Sequence, residues 1–241
     1  GKGDIWDSGK IESDASQWIT YQGKTLKCNA SYYWKVKIDT NKGATNWSAP
    51  AFWTTGLFNE ADWQGQWIGL DRAAPGDSET QWSRLAARYL RKEFAVKKDV
   101  KRATVHIAGM GLYELFINGQ RIGNQVLAPA PTDYRKTILY NTYDVTSLLQ
   151  TENAIGVTLG NGRFYTMRQN YKPYKIPTFG YPKLRLNLIV EYADGSKETI
   201  ATNTSWKLTT EGPIRSNNEY DGEIYDARME LGNWTQPGYD D

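Results

Sequence analysis

Two stretches of this chain gather side chains able to hold a polyhydroxylated ligand. Asn161-Gly162-Arg163-Phe164-Tyr165 sets an amide, a guanidinium and two rings side by side. The run from Asn217 to Arg228 mixes amides, carboxylates, rings and arginine. Rings offer apolar faces to C–H surfaces, while fixed amides, carboxylates and guanidinium groups pair with hydroxyls. Both stretches fall in loops between segments of strand character. Asn161, Arg163, Tyr165 and Glu223, with Asn118 from the turn Asn118-Gly119, are therefore the candidate sugar-contacting residues.

Catalysis on a glycosidic bond asks for more. It needs two carboxylates roughly 5–10 Å apart, one of them held protonated. Glu219, Asp221, Glu223, Asp226 and Glu230 are the residues of that type, and in an extended strand the first three share one face. They equally suit ion pairs with Arg215 and Arg228, and none is assigned a catalytic role. Asn118 and Asn161 each precede a glycine, which suits turn residues with positive φ. Alternatively, with Asp133 or Asp144, their oxygens face one loop end and bind sugar hydroxyls or Ca²⁺. No EF-hand-like spacing accompanies them, so no cofactor and no metal ligand is assigned, and Ca²⁺ is the one ion these oxygens suit. Gly109-Met110-Gly111 and Gly160-Asn161-Gly162 begin no helix and lack the Lys-Ser/Thr of a phosphate loop.

Single residues narrow the field further. His106 is the sole histidine, so a His-rich metal site is excluded. It alternates with Ala103, Val105 and Ile107, which places it on the polar, solvated face of a strand. Cys28 stands alone, which excludes an internal disulfide and a cysteine-based metal site. A net charge of +2 without a Lys/Arg block argues against nucleic acid as a partner. No apolar run reaches the roughly 18 residues of a membrane helix. The start Gly1-Lys2-Gly3 shows no signal peptide, which fits a mature, truncated or cytosolic chain. Ten Trp and 16 Tyr against 6 Phe give an aromatic excess with polar handles, suited to sugar platforms and to sandwich cores alike.

Strands must position these loops. Tyr32 to Asp39 alternates and predicts a strand, Thr40 to Gly43 a turn, and Ala51 to Thr54 a returning strand. Ile5 to Ser8 and Gln17 to Tyr21 read as shorter strands. Residues 1–57 thus supply about half of a fibronectin type III-like sandwich, a partial domain whose earlier strands are expected to be missing. After a linker at Thr55 to Glu60, Asp62-Trp63 and Trp67-Ile68-Gly69 open a second unit. Strands are expected at Arg88 to Phe94, Leu112 to Ile117, Val126-Leu127, Ala154 to Leu159, Leu184 to Tyr192 and Glu198 to Ile200. Asn118-Gly119 and Asp194-Gly195 mark turns. The stretch Asp71 to Glu79 reads as a loop, and Val145 to Leu149 as a single helical turn. The class is all-β: the partial sandwich, then a jelly-roll β-sandwich over residues 61–241.

The run from Val100 to Gly119 resembles the start of the N-terminal jelly roll of bacterial α-L-rhamnosidases. Leu159 to Tyr165, Gly222 to Arg228 and the closing Trp234 to Asp241 are similar to the same region, and Asp62-Trp63 with Trp67-Ile68-Gly69 resembles its junction with a fibronectin-like domain. Where that family usually carries Trp after the Asn-Gly, this chain has Arg163-Phe164. The resemblance implies a non-catalytic N-terminal region of an enzyme that removes terminal α-L-rhamnose by an inverting mechanism. It implies two catalytic Glu in a downstream (α/α)₆ barrel, so no catalytic residue carries over to this chain. The partners it implies are a rhamnose-containing carbohydrate and that barrel. Related jelly rolls that bind rhamnose with Ca²⁺ keep a sugar-binding role open for this one. The expected location is periplasmic or secreted, with a cytoplasmic one left open. A stand-alone carbohydrate-binding or adhesion module is the alternative, and a purely structural scaffold the third reading.

Overall fold

The structure is a computed structural model that describes residues 3–72, 85–165, 179–219 and 222–241. Most of the expected Asp71 to Glu79 loop, together with Tyr220 and Asp221, lies outside the described residues. The chain divides into two compact units, one ending at Asp62 and one spanning Trp63–Asp241.

In the first unit, β1 (Ser31–Trp34), β2 (Asp39–Thr40), β3 (Gly43–Ala44) and β4 (Ala51–Thr54) form two antiparallel pairs, β1 with β4 and β2 with β3. Rings stabilise the first pair across the strands: Tyr32 stacks on Trp53 at 5.2 Å, and Tyr33 meets Phe52 at 5.9 Å. The strand expected through Asp39 stops at Trp34. Beyond it the Ser48 and Thr45 hydroxyls accept from the Val36 and Ile38 N–H groups, so side chains replace part of the ladder. Ile5 to Ser8 and Gln17 to Tyr21 form no strand, and Trp18 takes φ 62°, which interrupts extended backbone.

The second unit holds two facing antiparallel sheets. Its strands are β5 (Ile68–Gly69), β6 (Arg88–Ala95), β7 (Val100–Met110), β8 (Leu112–Ile117), β9 (Gln120–Ile122), β10 (Asn141–Asp144), β11 (Glu152–Gly160), β12 (Lys183–Tyr192), β13 (Lys197–Ala201), β14 (Lys207–Thr209), β15 (Ile214–Asn218) and β16 (Gly222–Tyr225). One sheet runs β10-β7-β12-β13 with β5 added to β12; the other runs β14-β6-β11-β8-β9. Period-2 patterning sends Val105, Ile107, Leu184, Leu186 and Leu188 inward from one sheet, and Leu90, Leu115, Ile117, Ile155, Val157 and Leu159 from the other. At the β8–β9 hairpin Asn118 and Gly119 have φ 50° and 81°, the positive pair that a two-residue type I′ turn requires. The helical turn expected near Val145 is a 3₁₀ turn at Thr146–Leu148. Val126-Leu127 forms no strand, because Leu127 turns to φ 58° and leaves only a bridge from Ala128 to Tyr113. β15 and β16 form a separate ribbon, with Asn217 opposite Glu223.

Both sheets are also covered on their outer faces, and that changes the reading of His106. Its side chain is fully buried, not solvated. The segment after Trp63 crosses the outer face of β7 and β12. Gly65 donates to Asn187 Oδ1 at 2.8 Å, and the Gly65 carbonyl accepts from Arg185 Nε at 2.6 Å. Trp63 meets Tyr140 edge-on at 5.3 Å, and Tyr140 meets His106 at 5.9 Å. His106 Nδ1 lies 3.0 Å from Thr142 Oγ1. Burial, followed by the charge of Arg102, pushes the imidazole down to about 4.

The closing segment covers the other sheet. Trp234 sits between Tyr89 and Phe116, with ring centroids at 5.5 and 6.3 Å. Gly156 lies on the strand between those two residues' strands, and a Cβ there would stand 2.6 Å from Thr235 Cγ2 and 3.0 Å from Trp234 Cζ3. Glycine is what lets the indole approach. Buried Arg91 anchors this segment: it donates to the Trp234 carbonyl at 2.6 Å, the Gln236 carbonyl at 2.8 Å, Asp241 Oδ2 at 2.6 Å and the Glu93 carboxylate. It also stacks over Tyr239 at 5.3 Å.

Two outcomes follow. Arg91→Ala should cost about 2–4 kcal/mol in chemical denaturation, because it strands two carbonyls and two carboxylates against the sheet; an unchanged midpoint would show that the closing segment contributes nothing to stability. For His106 the folded-state pKa lies below the unfolded value of 6.5. Its neutral form is therefore required by the fold, and stability is lost as pH falls from 6.5 towards 4, by up to about 3 kcal/mol. Unfolding midpoints measured down that range should fall for the native chain and fall less for His106→Gln.

Candidate functional site

Strand order separates the residues that the sequence groups together. β11 pairs with β8 from Ile155↔Ile117 to Gly160↔Leu112. Asn118, level with Ala154, therefore lies at one end of the sandwich and Asn161 at the other, about 23 Å apart at the rise of a β-strand. Asn118 is occupied internally. Its amide nitrogen donates to the Leu148 carbonyl and Asn153 Oδ1, both at 2.9 Å, and its oxygen accepts from the Ala154 N–H at 2.8 Å. Asp144 accepts from Thr146, and Asp133 from Arg135. These four side chains do not share one loop end, so the oxygens expected to suit Ca²⁺ do not converge. Among the described residues no group of three or more metal-ligating side chains occurs.

Asn161 ties three segments at the other end. It is 2% exposed. Its side-chain nitrogen donates to the Leu85 carbonyl at 3.0 Å and the Asn217 carbonyl at 2.8 Å, while its N–H reaches Asn217 Oδ1 at 2.6 Å. Asn161 thus fixes the loop that carries Arg163, Phe164 and Tyr165. Arg163 grips Glu219 with both arms, at 3.0 and 3.2 Å. Tyr165 is buried and stacks on Tyr181 at 5.8 Å. Phe164 packs with Phe179 at 5.9 Å and edge-on with Tyr134 at 5.3 Å.

These rings back a cleft of about 550 Å³ lined by Trp67, Asp71, Met110, Tyr134, Arg135, Phe164, Phe179, Gly180, Tyr181 and Lys183. The fold dictates its place. Lys183 opposes both Met110 on β7 and Gly69 on β5, so the start of β12 brings Trp67 and Asp71 to the same end. Its charges come in pairs. Lys183 meets Asp71 at 3.0 Å, and Arg135 meets Asp133 at 3.0 Å, which holds the Asp133 carboxyl below the usual carboxylate range. Burial pushes the Tyr134 hydroxyl up, and its oxygen has no hydrogen-bond partner among the described residues.

None of the sequence candidates Asn118, Asn161, Arg163, Tyr165 and Glu223 is among the cleft's lining residues, though Tyr165 stacks on the lining Tyr181. Glu223 is exposed on the β15–β16 ribbon. Glu219 lies beyond the end of β15 rather than in line with Glu223 on one strand face. Arg228 pairs with Asp226, one of the carboxylates expected as its partner, and its side chain is 89% exposed. Such a solvated pair is worth at most about 1 kcal/mol.

The comparisons with known proteins follow the same division. Residues 98–241 match the α-L-rhamnosidase N-terminal domain, and residues 1–59 match a Rha78A-like, N-terminal immunoglobulin domain. The chain belongs to the α-L-rhamnosidase N-terminal family. It is 39% identical to an α-L-rhamnosidase of Formosa agariphila over 99% of its own length and 27% of that protein's. It superposes on the α-L-rhamnosidase from Dictyoglumus thermophilum with TM-score 0.86 at 42% identity, covering 99% of this chain and 27% of that one. The native enzyme from Aspergillus terreus gives TM-score 0.87 at 36% identity, over 95% of this chain and 26% of that one. The chain thus spans about a quarter to two-fifths of the length of the curated relatives it matches.

Within this rhamnosidase N-terminal region the two roles can be separated by mutation. Asn161→Ala should lower thermal stability clearly, by about 1–3 kcal/mol, because two carbonyls lose their donor. Arg228→Ala should change it by less than about 0.5 kcal/mol. Calorimetry on both variants checks the order; a larger loss for Arg228→Ala would restore a structural role to its ion pair.

Proposed function

We propose that this chain is the non-catalytic N-terminal region of a glycoside hydrolase that removes terminal α-L-rhamnose from glycosides or polysaccharides by an inverting mechanism. In this reading the jelly roll supports a downstream catalytic barrel of the same protein and binds rhamnose-containing carbohydrate in its cleft. The observation that carries the binding role is the cleft itself. It combines apolar rings with charges that neutralise one another: Lys183 with Asp71, Arg135 with Asp133, and Arg163 with Glu219 close behind. Such a surface presents donors and acceptors without a net field, which suits a neutral polyol better than a phosphate or a nucleic acid. Trp67 and Tyr181 add ring surface for a sugar's C–H groups.

The same lining argues against chemistry within this chain. Asp71 is its one carboxylate among the described residues, and it is held in an ion pair. An inverting glycosidase needs a second carboxyl roughly 6.5–9.5 Å away. Calorimetric titration of the 241-residue chain with L-rhamnose should show saturable binding, weakened at least about fivefold by Trp67→Ala. An aryl α-L-rhamnoside should remain uncleaved by the same preparation. Absence of binding by a folded chain would leave only the supporting role.

A further inference from the structure

We infer that the loop tip Val126-Leu127 is the contact by which the jelly roll holds the downstream catalytic domain of the same polypeptide. This rests on the reading of the chain as the supporting region of a longer glycosidase. Val126 is 81% exposed and Leu127 70%, above every other large aliphatic side chain among the described residues. Leu127 has φ 58°, a left-handed backbone that a bulky residue adopts only under constraint. The constraint is visible on both sides of the tip. Before it, Arg121 pairs with Glu114 at 3.0 Å and donates to the Gly123 and Gln125 carbonyls at 3.2 and 2.8 Å, while the Tyr143 hydroxyl donates to Gln125 Oε1 at 3.3 Å. After it, the Ala128 carbonyl accepts from the Tyr113 N–H at 2.7 Å, and Ala128 and Pro129 are buried. Glycine would take the Leu127 φ without strain. Within this unit the leucine gains little burial in exchange, so a surface outside the unit is what gives the side chain its use.

The size of the tip selects the partner. With Leu139, 42% exposed on the same connection, these side chains offer on the order of 200–300 Å² of apolar surface. A second copy or a freely diffusing partner needs roughly 800 Å² on each side for a stable complex. A covalently joined domain needs much less, because the linkage has already met most of the entropy cost of bringing the two surfaces together. The relatives have room for such a domain. This chain covers only 26–39% of the curated α-L-rhamnosidases it matches, and the tip falls within residues 98–241, which match that family's N-terminal domain. A rigid aliphatic peg on a braced loop therefore suits an apolar socket on the rest of the same polypeptide.

Hydrogen exchange, compared between the 241-residue chain and the full-length protein that contains it, tests the contact. Amides from Gln125 to Leu127 should exchange at least about tenfold more slowly in the full-length protein. Leu127→Gly removes the side chain and accepts the same φ. It should leave the melting temperature of the 241-residue chain near the native value, since relief of strain and added freedom in the unfolded chain oppose each other. In the full-length protein it should return the tip to the exchange rate of the shorter chain. Val126→Ser, which leaves the backbone as it is, should reduce the protection in the same direction. Equal exchange at the tip in both proteins, with an aryl α-L-rhamnoside still cleaved by the longer one, would overturn the contact and leave the supporting role intact. A folded full-length protein that cleaves no rhamnoside would sink the supporting reading and this inference with it. Protection that survives both substitutions would place the contact elsewhere and overturn the proposal as stated.

Discussion

The second unit depends on the satisfaction of polar groups that its two sheets bury on their outer faces. A two-layer sandwich can leave those faces in water, with alternating polar residues solvated. Here the chain closes over them at both ends of the unit. Arg91 on one sheet and Asn187 and Arg185 on the other leave water only because backbone atoms of the crossing segments replace it. A buried guanidinium without those carbonyls would cost several kcal/mol, so the coverings are obligatory once the residues are in place. The central layer and the outer segments therefore form one cooperative body, and the cleft inherits its rigidity from that body.

The cleft follows from where the covering begins. β5 continues the first crossing segment and pairs with the start of β12, next to the end of β7. Trp67, Asp71, Met110 and Lys183 reach one another through strand register rather than through sequence proximity. Asn161 then holds the β11 exit loop so that Phe164 joins the wall and Tyr165 stacks on Tyr181. A site at the end of a sandwich, built from strand termini and the loops they fix, is how this architecture usually presents ligand-binding groups.

How much of this was legible in the sequence depends on the range of the interaction. Alternation in Leu184 to Tyr192 and in Ala154 to Leu159 shows each strand, because the inward face needs only period 2. Asn118-Gly119 shows its turn, because positive φ at both residues is a local demand. His106 was placed on the polar face of its strand, and it does point away from the core. Its burial depends on a segment some forty residues upstream, and no pattern around His106 reports that. Trp67, Tyr134, Phe179 and Tyr181 were not legible as one site, because they sit far apart and share no spacing. The loop Asn161 to Tyr165 was legible as chemistry-bearing, though Asn161 turned out to hold the loop and Tyr165 to back the wall. Arg228 was legible as an ion-pair partner of the carboxylates around it; which one it takes, Asp226 two residues away, follows from the local turn.

The pairing of charges around the cleft bears on what the site can distinguish. A cationic cleft attracts any anion from a distance, and its selectivity is set largely by charge. When each cation already holds a carboxylate, long-range attraction is weak and a ligand must compete locally for donors and acceptors. Lys183 and Asp71 can each turn one hydrogen-bonding position towards a hydroxyl while keeping the other on its partner, at little electrostatic cost. A phosphate or sulfate would instead face Asp71 as a like charge within a few ångströms of Lys183. A neutral ligand with several hydroxyls on one edge and carbon on another meets no such penalty. On the proposed carbohydrate reading, the ion pairs would exclude anions and leave shape and the placement of apolar surface to decide among neutral ligands.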